Sequence, residues 1–235
     1  MAAPTALDLL WGTPDRPRRG PRPSLSLDRI VTEAIALADA DGFAAVSMQR
    51  LAERLGCAKM ALYRYVPGKA ELTAVMLDQA LGAPPHIAET GDRSWRTALA
   101  QWSHTIHARY RAHPWAIELT TARTRPLGPN EMAWMEAALA ALADTGLSGA
   151  ERLDTVVLLN GHIRSLVQQT AASGPEEAES LMADQVGAVL HTHADRFPEI
   201  AAAYSATGGD RGAALDYGID RILDGVGVLI ERRGS

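Results

Sequence analysis

The stretch from Ser47 to Lys69 constrains the fold more than any other part of the chain. Ser47 can cap a helix whose inner face is Leu51, Ala52 and Leu55. Gly56 supplies a turn that a side chain would strain. A second short helix is predicted over 58–65, with Leu62 spaced to pack on Leu51 and Leu55. Pro67 and Gly68 break the run before another helix over 69–81. Two short helices joined by a tight turn, the second rich in small and polar side chains, have the layout of a helix-turn-helix DNA reader.

The helical period continues on both sides. Ser26 can cap a helix reaching about Ala40, with Leu27, Ile30, Val31, Ala34, Ile35 and Ala38 as its apolar stripe. Gly42 ends it. Beyond the Gly82-Ala-Pro-Pro break, helices are predicted over 92–111, 114–123, 129–144, 149–171, 176–194 and 210–231. Pro114 can occupy a first helical turn, and Ser148 with Glu151 fits a capping box. Ser47 has Arg50 at the corresponding position, so no reciprocal box is expected there. No stretch alternates as a strand would, and Val156–Leu159 sits inside a longer helical period. The expected fold is all-α: a flexible basic arm over 1–24, a helix-turn-helix three-helix domain over 25–81, and a larger helical domain over 82–235.

The net charge of −5 looks unlike that of a nucleic-acid binder, but it averages two regions. Residues 1–77 hold ten Arg/Lys against eight Asp/Glu; residues 78–235 hold thirteen against twenty. DNA affinity must therefore come from a local basic surface and depend on salt. Arg16, Arg18, Arg19 and Arg22 alternate with prolines and glycine directly before the reader. They make either a solubilising tail or an arm that follows phosphates. Cys57 is the single cysteine, so an intrachain disulfide and a four-cysteine zinc site are excluded. It is a small turn residue or, alternatively, a redox-sensitive thiol. With no signal-peptide core and no run of about 18 apolar residues, a cytoplasmic protein is expected.

Within the reader, Ala58 and Ala61 permit close approach to DNA. Lys59 can reach a phosphate or a guanine edge, and Met60 and Ala61 a thymine methyl. Tyr63, Arg64 and Tyr65 carry polar tips suited to the backbone. Ser47, Met48 and Gln49 begin the supporting helix, where free N–H groups favour phosphate. Lys59 and Lys69, the only lysines, bracket the second helix.

Residues 27–81 resemble the DNA-binding domain of the tetracycline-repressor (TetR) family of bacterial regulators. The resemblance runs through Gly42-Phe43, Ser47, Leu51-Ala52, Leu55-Gly56, Leu62-Tyr63, Val66, Lys69 and Leu72, in family order and spacing. It implies first-helix contacts at Ser47, Met48 and Gln49, recognition contacts at Lys59, Met60, Ala61, Tyr63, Arg64 and Tyr65, and a phosphate contact at Lys69. Where His-Phe is commoner in the family, this chain has Tyr65-Val66. Further on, Trp115, the Thr124–Pro129 run, Met132, Leu139, Phe197-Pro-Glu-Ile and the stretch from Asp216 to Val226 resemble the C-terminal domain of the tetracycline-repressor subgroup. That likeness implies an effector pocket, a homodimer and, most commonly, repression relieved by ligand.

Four of five tryptophans fall between residues 95 and 134. They can fill a helical core or wall a small-molecule pocket. Trp102, His104, Trp115 and Trp134 are the first candidate ligand residues. Asn160 and Gln168, on a polar line with Arg164, are the second; the same line can instead cross a dimer seam or face water. Helices over 151–171 and 211–231 are the expected dimer elements, the latter with Leu215, Ile219, Ile222, Leu223, Val226 and Ile230 as its stripe.

An enzyme is the rival of another class. His104 and His107 share a helix face without a third ligand, and His191 and His193 do not share one. No phosphate-cradling glycine loop, nucleophile elbow or His-Glu-x-x-His motif is present. The sequence thus predicts a non-enzymatic transcriptional regulator with no metal or cofactor. Its partners are double-stranded operator DNA, a second copy of itself and a small-molecule effector. A regulator without an effector is the alternative.

Overall fold

The computed structural model describes residues 4–12, 25–85, 94–120, 125–170, 175–207 and 213–234. Among them all regular structure is helical, in two compact units over 1–145 and 146–235. No described helix is long and apolar enough to cross a membrane.

The first unit contains α1 (Ala6–Trp11), α2 (Leu27–Asp41), α3 (Met48–Leu55), α4 (Lys59–Leu62), α5 (Lys69–Leu81), α6 (Trp95–Ala112), α7 (Trp115–Thr120) and α8 (Pro129–Ala141). Its starts follow the expected chemistry. Ser26 Oγ accepts from Arg29 N and Ser47 Oγ from Arg50 N, each at 3.2 Å. Gly56 ends α3 in the left-handed region, φ 65° and ψ 35°. Ile30, Val31, Ala34 and Leu37 of α2 are buried with Leu51 of α3, Leu62 of α4 and Leu72, Met76 and Leu77 of α5. Helix α5 packs on α2 and also on α6, α7 and α8. The reader therefore shares one compact unit with helices beyond residue 81.

Two helices of this unit differ from expectation. The segment read as an arm contains α1, opened by a Thr5–Asp8 capping box and packed on α5. Trp11 Nε1 donates to the Leu127 carbonyl at 2.9 Å. Six residues are too few for an independent helix, so these contacts sustain it. Arg16, Arg18, Arg19 and Arg22 lie outside the described residues. The second helix of the reader is shorter than 58–65. After Leu62 the chain turns, with Tyr65 N bonded to the Leu62 carbonyl at 2.9 Å. Pro67 disfavours helical geometry at Val66 and so bars any continuation beyond the turn.

The second unit contains α9 (Gly149–Thr170), α10 (Pro175–His193), α11 (Pro198–Thr207) and α12 (Ala214–Gly234). Ser148 and Glu151 make the expected reciprocal cap at 2.8 and 3.3 Å. The Ser148 N–H and the Arg233 guanidinium pull the Glu151 carboxyl down to about 2. Helix α12 packs along α9, and Ile219, Leu223 and Val226 are buried within the chain. Gly218 is required for that approach: a Cβ there would stand 2.1 Å from the His162 ring. Gly225 faces open space.

Candidate nucleic-acid interface

The reader presents most of its expected side chains outward. Lys59, Met60, Arg64, Gln49 and Lys69 are exposed, Met60 to 72%. Ser47, Ala61, Tyr63 and Tyr65 are half-buried. Met48 is the exception. Its side chain is buried, at 7% exposure, so it offers DNA only its backbone N–H at the start of α3. A thioether of that size suits a core as well as it suits a groove, which is why the sequence did not separate the two. Arg50 pairs with Asp41 at 2.6 Å, and Arg54 pairs with Glu33. These exposed pairs hold α3 to its neighbour weakly.

Lys69 opens α5, and its Nζ lies 4.9 Å above the centre of the Phe43 ring. Phe43 in turn stacks on Trp115, with ring centroids 6.2 Å apart and planes 17° from parallel. Trp115 is buried, and its Nε1 donates to Asp39 Oδ1 at 2.6 Å. The same oxygen lies 2.8 Å from His113 Nδ1. Trp115 was a candidate for either a ligand pocket or the helical core; here its N–H bonds the reader's first helix and its ring face stacks on Phe43. The contacts of Asp39 and Phe43 with Trp115 were not foreseen, because Trp115 lies more than seventy residues further along the chain.

A second junction ties α5 to α8. Asp78 is buried, and its Oδ1 accepts from Asn130 N at 2.8 Å and Glu131 N at 3.3 Å. Its Oδ2 accepts from Asn130 Nδ2 at 2.9 Å. A carboxylate borrowed from another helix thus caps α8. Burial pushes the Asp78 carboxyl up, against those donors. Gly128 leaves room for it: a Cβ there would stand 2.0 Å from Asp78 Oδ1. Arg125 makes two 2.6 Å bonds to Glu131 and donates to the Leu119 carbonyl at 2.8 Å.

The expected ligand residues have separate surroundings. Trp102 and Trp134 are buried edge-to-face at 5.7 Å. Trp102 Nε1 donates to the Trp134 carbonyl at 2.9 Å, and Trp134 Nε1 to the Gly82 carbonyl at 2.8 Å. His104 is exposed. In the second unit Gln168 is exposed and Asn160 half-buried, with Asn160 Oδ1 buried and without a hydrogen-bond partner. Among the described residues no group of three or more His, Cys, Asp or Glu is placed to hold a metal.

An outward-facing recognition segment behind a left-handed turn, on a three-helix base fused to further helices, defines a helix-turn-helix DNA-binding protein. The family model for "Bacterial regulatory proteins, tetR family" matches residues 30–76, and that for "Tetracyclin repressor-like, C-terminal domain" matches residues 87–230. The chain is 38% identical to the HTH-type transcriptional repressor DrrR1 of Streptomyces coeruleorubidus, covering 97% of this chain and 87% of that protein. It is 33% identical to an HTH-type transcriptional regulator of Saccharopolyspora erythraea, covering 92% and 90%. Its structure is similar to that of the Streptomyces coelicolor TetR family protein ActR in complex with actinorhodin, with TM-score 0.73, 26% identity and coverage of 86% and 94%. The chain belongs to the TetR family: it is a DNA-binding transcriptional regulator, and members of this family are not enzymes.

Proposed function

We propose that the chain is a homodimeric repressor that binds a palindromic operator in the bacterial cytoplasm and is released by a small molecule. The segment Lys59–Tyr65 carries this reading: Leu62 anchors it to the core, while Lys59, Met60 and Arg64 stand exposed around that anchor. Within it, Lys59, Met60, Ala61, Tyr63, Arg64 and Tyr65 face the major groove and its borders, while Ser47, Gln49 and Lys69 reach phosphates and Met48 supplies an N–H. Residues 25–81 act as the reader, residues 82–235 as the effector and dimer domain, and the arginines of 1–24 as an added phosphate contact.

The homodimer is supported by apolar side chains left outward on α9 and α12. Val157 is 67% exposed and Tyr217 66%; Leu153, Leu158 and Val228 are exposed as well. The stripe expected to make the seam, through Ile219, Leu223 and Val226, is instead buried within the chain. The opposite faces of α9 and α12 are therefore assigned to the partner, giving a twofold protein for a twofold site.

Release by ligand is supported by the similar ActR, whose structures include complexes with actinorhodin and with (S)-DNPA. Trp102, His104, Trp115, Trp134, Asn160 and Gln168 remain the proposed effector contacts. One observation favours a regulator without an effector: the indole N–H groups of Trp102, Trp115 and Trp134 are all spent on protein acceptors. Linkage separates the two readings. Actinorhodin and (S)-DNPA should be titrated against tryptophan fluorescence, with and without an operator duplex selected by this protein. Under the proposal a ligand that binds does so more weakly when operator is present, by the factor with which it weakens operator binding. Near-complete release corresponds to about 10⁴-fold, roughly 5.5 kcal/mol. Equal affinities with and without operator would leave the effector-free reading.

A further inference from the structure

Lys69, Phe43 and Trp115 form one stack from the solvent-exposed start of α5 to α7, and Asp39 of α2 accepts a hydrogen bond from the Trp115 indole. An exposed lysine ordinarily samples many rotamers, and fixing it on a phosphate costs entropy. Here the ammonium already rests 4.9 Å over an aromatic face. A ring in that position attracts the cation and leaves its other N–H donors free for an oxygen.

The ring itself needs fixing, since Phe43 sits in a short 3₁₀ turn, Phe43–Ala45, behind Gly42 at φ 79°. Trp115 provides that fixing by stacking at 6.2 Å, and Trp115 is held by the 2.6 Å bond to Asp39. Asp39 lies near the end of α2 and also receives His113, at the junction of α6 and α7. Two helices beyond the reader thus set the platform under a reader lysine.

We propose that Phe43 is a positioning residue for Lys69, and that Trp115, anchored by Asp39, sets Phe43 and so links α7 to phosphate binding at the start of α5. The link rests on the reading of Lys69 as a phosphate contact. It gives the effector domain a way to change DNA affinity without altering any base contact: a shift of Trp115 withdraws the ring from beneath the ammonium. Because phosphate contacts carry no sequence information, the effect is on affinity for any duplex.

The test is a double-mutant cycle on the full chain, with a mixed-sequence duplex of about 30 base pairs as probe, at several salt concentrations. Lys69→Ala is expected to weaken binding and reduce the salt slope by about 1. Phe43→Leu is expected to weaken binding about two- to fivefold through loss of the cation–ring attraction. Trp115→Phe, which removes the N–H bonded to Asp39, is expected to weaken it less and in the same direction. In the Lys69→Ala background, Phe43→Leu and Trp115→Phe should have no further effect. Thermal melting of each variant sets the temperature at which all remain folded. A role confined to stability would lower melting temperatures and leave the cycle additive. Additive losses, with Lys69→Ala still weakening binding, would overturn the positioning role alone. An unchanged affinity for Lys69→Ala would overturn it together with the phosphate reading.

Discussion

A chain carrying Val157→Asp and Tyr217→Asp is expected to sediment as a monomer and to bind operator about 100-fold or more weakly than wild type. Both positions are largely exposed in the subunit, so the charges cost the isolated fold little. In the seam they would be buried without partners. Loss of the dimer removes the advantage of holding a second reader near the second half-site, which is worth roughly 10²–10⁴ in affinity. Circular dichroism should stay close to wild type, and the melting temperature should fall only by what association contributed and no longer depend on protein concentration. A dimer that persists at micromolar concentration would move the seam away from these faces of α9 and α12. Val226 is unsuited to this test, since it is buried within the chain and a charge there would attack the subunit's own core.

Leu62→Ala is expected to destabilise the first unit by about 2–5 kcal/mol. Leu62 is the one fully buried side chain of α4, and its carbonyl accepts from both Tyr65 N and Val66 N, at 2.9 Å each. A helix of four residues has no stability of its own. It is held to the base of the reader by this anchor and its neighbours in α3, so the variant should also bind DNA poorly at temperatures where α9 and α12 still give helical signal. Urea denaturation measures the loss; a change below about 1 kcal/mol would mean that other contacts hold the recognition segment.

The parts of this fold that were legible in sequence are those governed by near neighbours. Ser26, Ser47 and the Ser148–Glu151 pair cap the helices they were expected to cap, and Gly56 takes the left-handed turn. Short helices without a long apolar stripe were harder. Helix α1 announces itself only by Thr5 and Asp8, and α11 only by Pro198 at its first position. The long-range junctions left no local trace. Asp78 reads as an ordinary surface carboxylate of α5, and nothing near it indicates that Asn130, fifty-two residues on, will be its partner. The tryptophans read as a group because they are close in sequence, yet Trp115 belongs with Asp39 and Phe43 while Trp102 and Trp134 pack on each other. Periodicity showed that α12 must bury a stripe. It did not show that α12 packs along α9 of its own chain, which left Val157 and Tyr217 for the partner.

The most direct measurement is nuclease footprinting of the wild-type chain on duplexes it selects from a random pool, repeated with Lys59→Ala and Arg64→Ala. The account predicts two protected half-sites related by a twofold axis, with centres about one helical turn or a whole number of turns apart. Lys59→Ala should weaken protection, by about 1–3 kcal/mol and mainly at one base position per half-site if the ammonium reads guanine, or evenly across sequences if it binds phosphate. Arg64→Ala should weaken both half-sites alike. Equal protection of selected and random duplexes, or footprints unchanged in both variants, would contradict the assignment of Lys59–Tyr65 as the DNA-reading surface.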